Sequence, residues 1–430
     1  MNLFNLRKNK FQVMKRKKFT VSCFLFLILF FCVNEYSFSQ QITWSRTYGD
    51  TGTVSEQGVD IVQTYDGNYV VLASRSYDGN NQKILLLKLD IYGNVMWEKM
   101  VADSIVHHSP YRFQQTQDSG FIITGISGSA FLIKTDKNGN LKWRKVYNNT
   151  YPQTYSSSVI TTPDNGFIFY GDVPFFSPPS SRGYIVKTDS IGVVQWERVY
   201  VDSLFTGYGQ VIFSDDSNSL FVCGGTYNIT QPLTKYTLVK KIKLNGDQVW
   251  MKTYAANSGG ECILQVDDTS LVINSRTSMS ILHNPFIRID TSGNLIWLNR
   301  YQSPSTSGFP VIICKDNQNN IQKVGGINSN ITYTEISPIG SQLILRPFQT
   351  SGFLATYGNV IKNSKDSGFI IVGTVFTGTQ SNQNPDILVL KTDSIVIAPT
   401  IVKVVNYYST IVSEYHLSQN FPNHLILLQL

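Results

Sequence analysis

Charge, cysteine, histidine and long apolar runs are all scarce in this chain of 430 residues. Asp, Glu, Lys and Arg make up 15% of it, and its formal charge of +7 has a local origin. Seven of the 36 basic and one of the 29 acidic side chains fall within residues 1–39, leaving 29 against 28 in the remainder. A near-neutral body without a Lys/Arg cluster lacks the electrostatic footprint of a nucleic-acid-binding protein. Beyond residue 40 only Cys223, Cys262 and Cys314 remain, each inside an apolar, strand-like run (LFVCGG, ECILQV, VIICKD). An odd, scattered set is no disulfide framework, and buried, inert thiols are expected. His107 and His108 stand beside Pro110, and His283 precedes Asn284-Pro285. None has a second ligand at metal spacing, so no metal-binding residue is assigned. Helical periodicity is missing too. Val, Ile, Tyr, Phe and Thr recur instead in short runs between Asn, Asp, Gly and Ser clusters, within a composition 42% apolar and 13% aromatic. That pattern predicts an all-β protein with an ample core.

The first 39 residues read as a signal peptide. Lys15, Arg16, Lys17 and Lys18 precede the apolar run FTVSCFLFLILFFCV, and Ser37-Phe-Ser39 offers a small-x-small cleavage pattern just before Gln40 or Gln41. The run is about 15 residues, short of the roughly 20 that a spanning helix needs. Cys32 lacks the small residue before it that a lipoprotein signal requires. An exported protein with no membrane span after cleavage is therefore expected.

All six tryptophans stand in one local pattern: Trp44, Trp97, Trp143, Trp196, Trp250 and Trp297. Before each of the last five, a Gly lies four residues upstream (Gly93, Gly139, Gly192, Gly246, Gly293) and a base nine upstream (Lys88, Lys134, Lys187, Lys241, Arg288). A degenerate copy puts Gly340 and Ile344 in those slots. A last copy opens with Lys391 and Asp393 but has Val396 for Gly and Thr400 for Trp. Repeats of about 50 residues indicate a propeller or solenoid. Each unit reads as four strands joined by Asp-Gly and Asn-Gly turns. The chain opens with a lone fourth strand, ITWSRTY, and its last repeat stops at a third, ILVLKTD. Joining the two predicts a closed seven-bladed β-propeller over residues 41–396, followed by a linker, 397–414. On the fourth strands, Trp and the residue four later (Tyr48, Val101, Tyr147, Tyr200, Tyr254, Tyr301) share one face and are expected to pack between sheets.

The repeated features admit chemical readings that their spacing does not sustain. Asp136 to Asn140, Asp-Lys-Asn-Gly-Asn, looks like a calcium loop, yet its Gly is in the fourth position and no Glu follows at the right distance. A hairpin turn accounts for the same residues. The repeated Lys could form a ligand ring; the alternative is a packed stem with its ammonium paired to an Asp. GISGSA at Gly125 is not a nucleophile elbow. No catalytic or cofactor-binding residue is assigned, and no cofactor is expected.

The Asp-x-x-Gly-x-x-x-Trp unit resembles the docking motif of pyrroloquinoline-quinone enzymes and of outer-membrane assembly scaffolds, which implies a propeller more than a quinone. Together with the ending YHLSQNFPN, the repeats resemble secreted repeat proteins of the Bacteroidota type IX secretion system. In that family a C-terminal sorting domain opens on a phrase matched here by Leu417, Gln419, Asn420, Phe421, Pro422 and Asn423. The match stops at His424. Asn423 to Leu430 is what one deleted C gives in AAC CCA TTT AAT CCT ACT ACA ACT A, a coding text for the expected continuation. Residues 415–430 are accordingly read as a truncated remnant of the sorting domain. The resemblance implies secretion or surface display for an intact form, with the secretion machinery as partner, and periplasmic retention of the chain as it stands. Two functions stay open at this level. One is a monomeric, non-catalytic module that binds a glycan or surface protein. The other is an extracellular enzyme, a polysaccharide hydrolase or lyase or a quinone-dependent oxidoreductase.

Overall fold

The computed structural model describes residues 41–49, 54–77, 81–101, 108–151, 153–176, 179–205, 209–215, 217–227, 235–276, 283–302, 311–327, 329–379, 382–397 and 401–402. The signal segment, the sorting motif, most of the linker, His107 and Asp216 lie outside them. The unit from Ile42 onward is all β, and its strands form seven four-stranded antiparallel blades. Blade 1 is made of Ser55–Gln63, Tyr69–Ser76, Gln82–Leu89 and Val95–Met100. Blades 2 to 6 repeat that order, running from Ser109 to Tyr147, Tyr155 to Phe205, Gln210 to Tyr254, Gly259 to Gln302 and Cys314 to Pro347. Blade 7 takes three strands, Ala355–Asn363, Phe369–Thr379 and Asn382–Thr392, from the end of the chain. Its fourth, Trp44–Tyr48, comes from the beginning, with Trp44 opposite Lys391 and Tyr48 opposite Ile387. The two leftover strands do meet, and the closure expected from the sequence is present.

In each blade the first strand is innermost, beside the first strands of its neighbours, and the fourth is outermost. Burial follows that order. Tyr69–Ser76, a second strand, is buried throughout, whereas Val95–Met100 has no buried residue and is exposed over half its length. The core is divided into seven apolar clusters among the described residues, one between each pair of adjacent blades. Sheet-on-sheet packing of this kind draws alternate side chains from both faces of every blade, so the strands read as near-continuous apolar runs.

The repeat motif explains how neighbouring blades dock. The Trp of each fourth strand lies over the Gly in the turn between the third and fourth strands of the next blade. A Cβ on Gly93 would come within 2.9 Å of Trp44, and one on Gly192 within 2.9 Å of Trp143. The glycines are required twice over, because they also hold φ values of +80° and +76°. Four residues after the Trp, the Tyr hydroxyl donates to the carbonyl of that same Gly: Tyr48 to Gly93 at 2.7 Å, Tyr147 to Gly192 at 3.0 Å, Tyr200 to Gly246 at 2.8 Å and Tyr254 to Gly293 at 2.7 Å. Ring and hydroxyl thus clamp one turn from two sides.

The junction of blades 7 and 1 carries additional polar contacts. Asn359 Nδ2 donates to the Gly58 carbonyl at 2.7 Å, Lys362 pairs with Asp60 at 2.6 Å, and the Lys365 amide donates to Gln63 Oε1 at 2.7 Å. The junction of blades 6 and 7 departs from the pattern at all three positions: Ile344 replaces Trp, Phe348 replaces Tyr and Val396 replaces Gly. Val396 keeps the turn conformation at φ +61°, and Arg346 Nη2 takes over the hydrogen bond to its carbonyl at 2.9 Å. Where a Cβ has appeared, the ring that it would strike has gone.

Candidate functional site

The turns of the repeat account for the residues that had looked chemical. Asp136 Oδ1 accepts from the amides of Asn138 and Asn140, at 2.9 and 2.8 Å, while its Oδ2 accepts from Asn140 Nδ2 at 2.9 Å. Desolvation pushes the Asp136 carboxyl up, but these bonds together outweigh it and hold the group below its ordinary range. The carboxylate closes a hairpin. The repeated base is paired within its own blade, to the Asp of the turn between the first two strands. Lys88 meets Asp66 at 2.5 Å, Lys134 meets Asp118 at 2.9 Å, Lys187 meets Asp164 at 2.8 Å, Arg288 meets Asp267 at 2.7 Å and Lys391 meets Asp366 at 2.8 Å. The stem-and-pair reading holds, and the ligand-ring reading fails because the ammonium groups point into separate blades. Lys241 instead lies 5.3 Å above the Phe221 ring. Cys223, Cys262 and Cys314 are free and buried, and burial raises all three thiols, Cys262 to about 12. His108 is wholly buried beside Phe131, at 5.7 Å between ring centres. The GISGSA stretch turns over at Gly128, with φ +70°, between two strands of blade 2.

The two faces of the ring differ. On one, every link between first and second strands or third and fourth strands has five residues or fewer, as in 64–68 and 90–94. On the other, the links range from Gly128 alone, between Ser127 and Ser129, to 303–313 between Gln302 and Cys314. Blade 3 also extends its central hairpin on that face, with Val173 opposite Arg182 and Phe176 opposite Pro179. Its outer strand reaches over to blade 4 through Phe205 and Thr226. Uniform turns do the joining, and variable links crowd the opposite face. Variable connections on a rigid frame are where proteins place recognition.

That face is electrically uneven. At the head of blade 1, Arg75 bonds Glu56 and lies 2.6 Å from Glu98, with Asp386 of blade 7 close enough to add repulsion. Burial outweighs Arg75 and pushes the Glu56 carboxyl up to about 7, with Glu98 and Asp386 acting in the same direction. Three carboxylates converge here, as an active site would need, but two of them already serve one guanidinium. Blades 4 to 6 present the opposite sign. Lys235, Arg276 and Lys323 surround Glu261, and burial lowers Lys323 to about 8. Glu56 and Glu261 could not be singled out in the sequence, since neither sits in the repeat motif. Each is one acid among several polar residues of its innermost strand, which also holds Asp60 in blade 1 and Asp267 in blade 5.

No protein-family model matches the chain, and no curated protein matches it. The fold does have counterparts among solved structures. A protein of unknown function from Dyadobacter fermentans matches with a TM-score of 0.50 over 81% of this chain and 98% of its own, at 7% identity. A puromycin hydrolase matches with a TM-score of 0.54 over 80% of this chain, which spans only 53% of the hydrolase, at 11% identity. At such identities the likeness is one of fold alone, and this chain is a seven-bladed β-propeller.

Proposed function

We propose that the protein is a non-catalytic binding module of the cell envelope or exterior, with the face of variable links as its recognition surface. The contrast between the two faces carries this reading: one set of connections is fixed by the repeat, and the other is free to differ. A binder needs a rigid ring and adaptable loops. Replacing 228–234 and 277–282 by two-residue links of the kind found in blades 3 and 6 should leave the ring folded and abolish capture on a panel of glycans and surface proteins. Unchanged capture would assign recognition elsewhere, and consumption of a captured ligand would overturn the non-catalytic reading. We further infer export by residues 1–39, and passage through the type IX machinery for a chain with a complete sorting domain, from the motif at Leu417 to Asn423. Fractionation of cells expressing chains with and without a sorting domain checks this; equal distribution of both would refute it.

A further inference from the structure

In blades 1, 2, 3 and 7 the turn between the first two strands is closed by a hydrogen bond from the amide of its first residue to the carbonyl of its fifth: Thr64 to Asn68, Thr116 to Gly120, Thr162 to Gly166 and Ser364 to Gly368. Each of these turns supplies the Asp that pairs with the repeated Lys of its blade. Blade 4 differs. There the bond from the Ser214 amide reaches the sixth residue, Ser219. Lys241, the repeated base of that blade, forms no ion pair or hydrogen bond through its ammonium among the described residues, and lies 5.3 Å over the Phe221 ring. A ring face attracts the charge but supplies no lone pair for the three N–H donors.

Lys241 stands in the wall of a cavity of about 360 Å³ between blades 4 and 5, on the face of the short turns, together with Ser214, Asp215, Gln265, Asp268 and Thr291. That volume falls within the range of small-molecule sites, roughly 300–1,000 Å³. Asp215 belongs to the turn of blade 4 and is placed by its own amide, which donates to Gln265 Oε1 across the junction at 3.0 Å. Asp268 belongs to the turn Asp267 to Ser270 of blade 5, where Asp267 already takes Arg288. Asp215 and Asp268 are exposed, and among the described residues neither carboxylate has an ion pair or a hydrogen bond. One base and two acids, none with a counter-charge, thus line one cavity. We propose that it binds a free basic amino acid such as lysine, the ligand carboxylate on Lys241 and its two ammonium groups on Asp215 and Asp268. The charges match one for one, in hydrogen bonds between ionised partners, which are the stronger kind. A simple anion would leave both acids unanswered, and a diamine would leave Lys241 so.

This cavity lies on the face opposite the variable links, so it is independent of the recognition surface proposed above. The test is titration calorimetry of the full chain with L-lysine, with norleucine, which lacks the side-chain ammonium, and with cadaverine, which lacks the carboxylate. Lysine should bind at least about tenfold tighter than either. Lys241→Met should bring lysine down to the affinity of cadaverine, and Asp268→Asn should weaken lysine by about tenfold or more. Asp268→Asn is nearly isosteric at an exposed position, so a thermal midpoint equal to that of the parent would separate lost binding from lost folding. Equal binding of lysine and cadaverine to the parent protein, or lysine binding indifferent to either substitution, would overturn the proposal. So would the absence of lysine binding at millimolar concentration.

Discussion

Gly192 and Val396 hold the same turn position in blades 3 and 7, at φ +76° and +61°. A β-branched residue there carries backbone strain on the order of 1 kcal/mol or more. Val396→Gly alone should relieve that strain but leave a gap under Ile344. Paired with Ile344→Trp it should rebuild the clamp, so the double variant is expected to exceed the sum of the two singles by about 1 kcal/mol in chemical unfolding. In the other direction, Gly192→Val puts a branched side chain against Trp143 and should cost about 3 kcal/mol or more. Additive behaviour of Val396→Gly and Ile344→Trp would show that the three replacements at this junction are independent. The three substitutions are visible in the sequence; that they touch one another is not, because the partners belong to different blades.

Among the elements, the outermost strand clamps a turn of the next blade through its Trp ring and Tyr hydroxyl. Tyr147→Phe keeps the ring and removes only the donor to the Gly192 carbonyl, and should cost about 1 kcal/mol. Phe348→Tyr should gain nothing, since Arg346 already serves the carbonyl of residue 396. Denaturant midpoints with unchanged slopes would check both. These strands were also the most legible, because Trp, Tyr and turn Gly recur at fixed spacing and each needs its own chemistry. The innermost strands were the least so. Asp60, Arg112 and Cys262 fall at equivalent places in blades 1, 2 and 5, paired opposite Leu72, Thr124 and Asn274. With three unlike residues at one position there is no repeat to detect, and a bulge shifts the alternation from which a buried side would be read. Glu261 was hidden for that reason: its importance comes from Arg276, Asn274 and Lys323, none fixed by the motif.

For the whole molecule, stability should pass through a maximum in mildly acidic solution. The turn aspartates have lowered carboxyls, Asp164 to about 2 against an ordinary 3.8, so their contribution is present above 3.8 and is lost as pH falls through the folded value. Glu56 acts the other way. Its folded carboxyl titrates near 7 against an ordinary 4.5, so it favours the folded state when protonated; that gain is complete below 4.5 and fades as pH rises through 7. Thermal midpoints from pH 4 to 8 should decline toward the alkaline end, and Glu56→Gln should flatten that decline. An unflattened decline would locate the responsible group elsewhere.

The closing strand also imposes an order of assembly. Trp44 has two sets of partners: Lys391 in its own sheet, and the turn of blade 1, where its Nε1 donates to the Ile91 carbonyl at 2.9 Å. The second set emerges long before the first as the chain is made. Blade 1 can therefore hold the strand in place, with Trp44 over Gly93 and Tyr48 bonded to it, while blades 2 to 6 form. Blade 7, last to appear, then folds onto an edge already in position. Such a scheme turns a contact across nearly the whole chain, the kind that slows folding most, into a local docking step at its end.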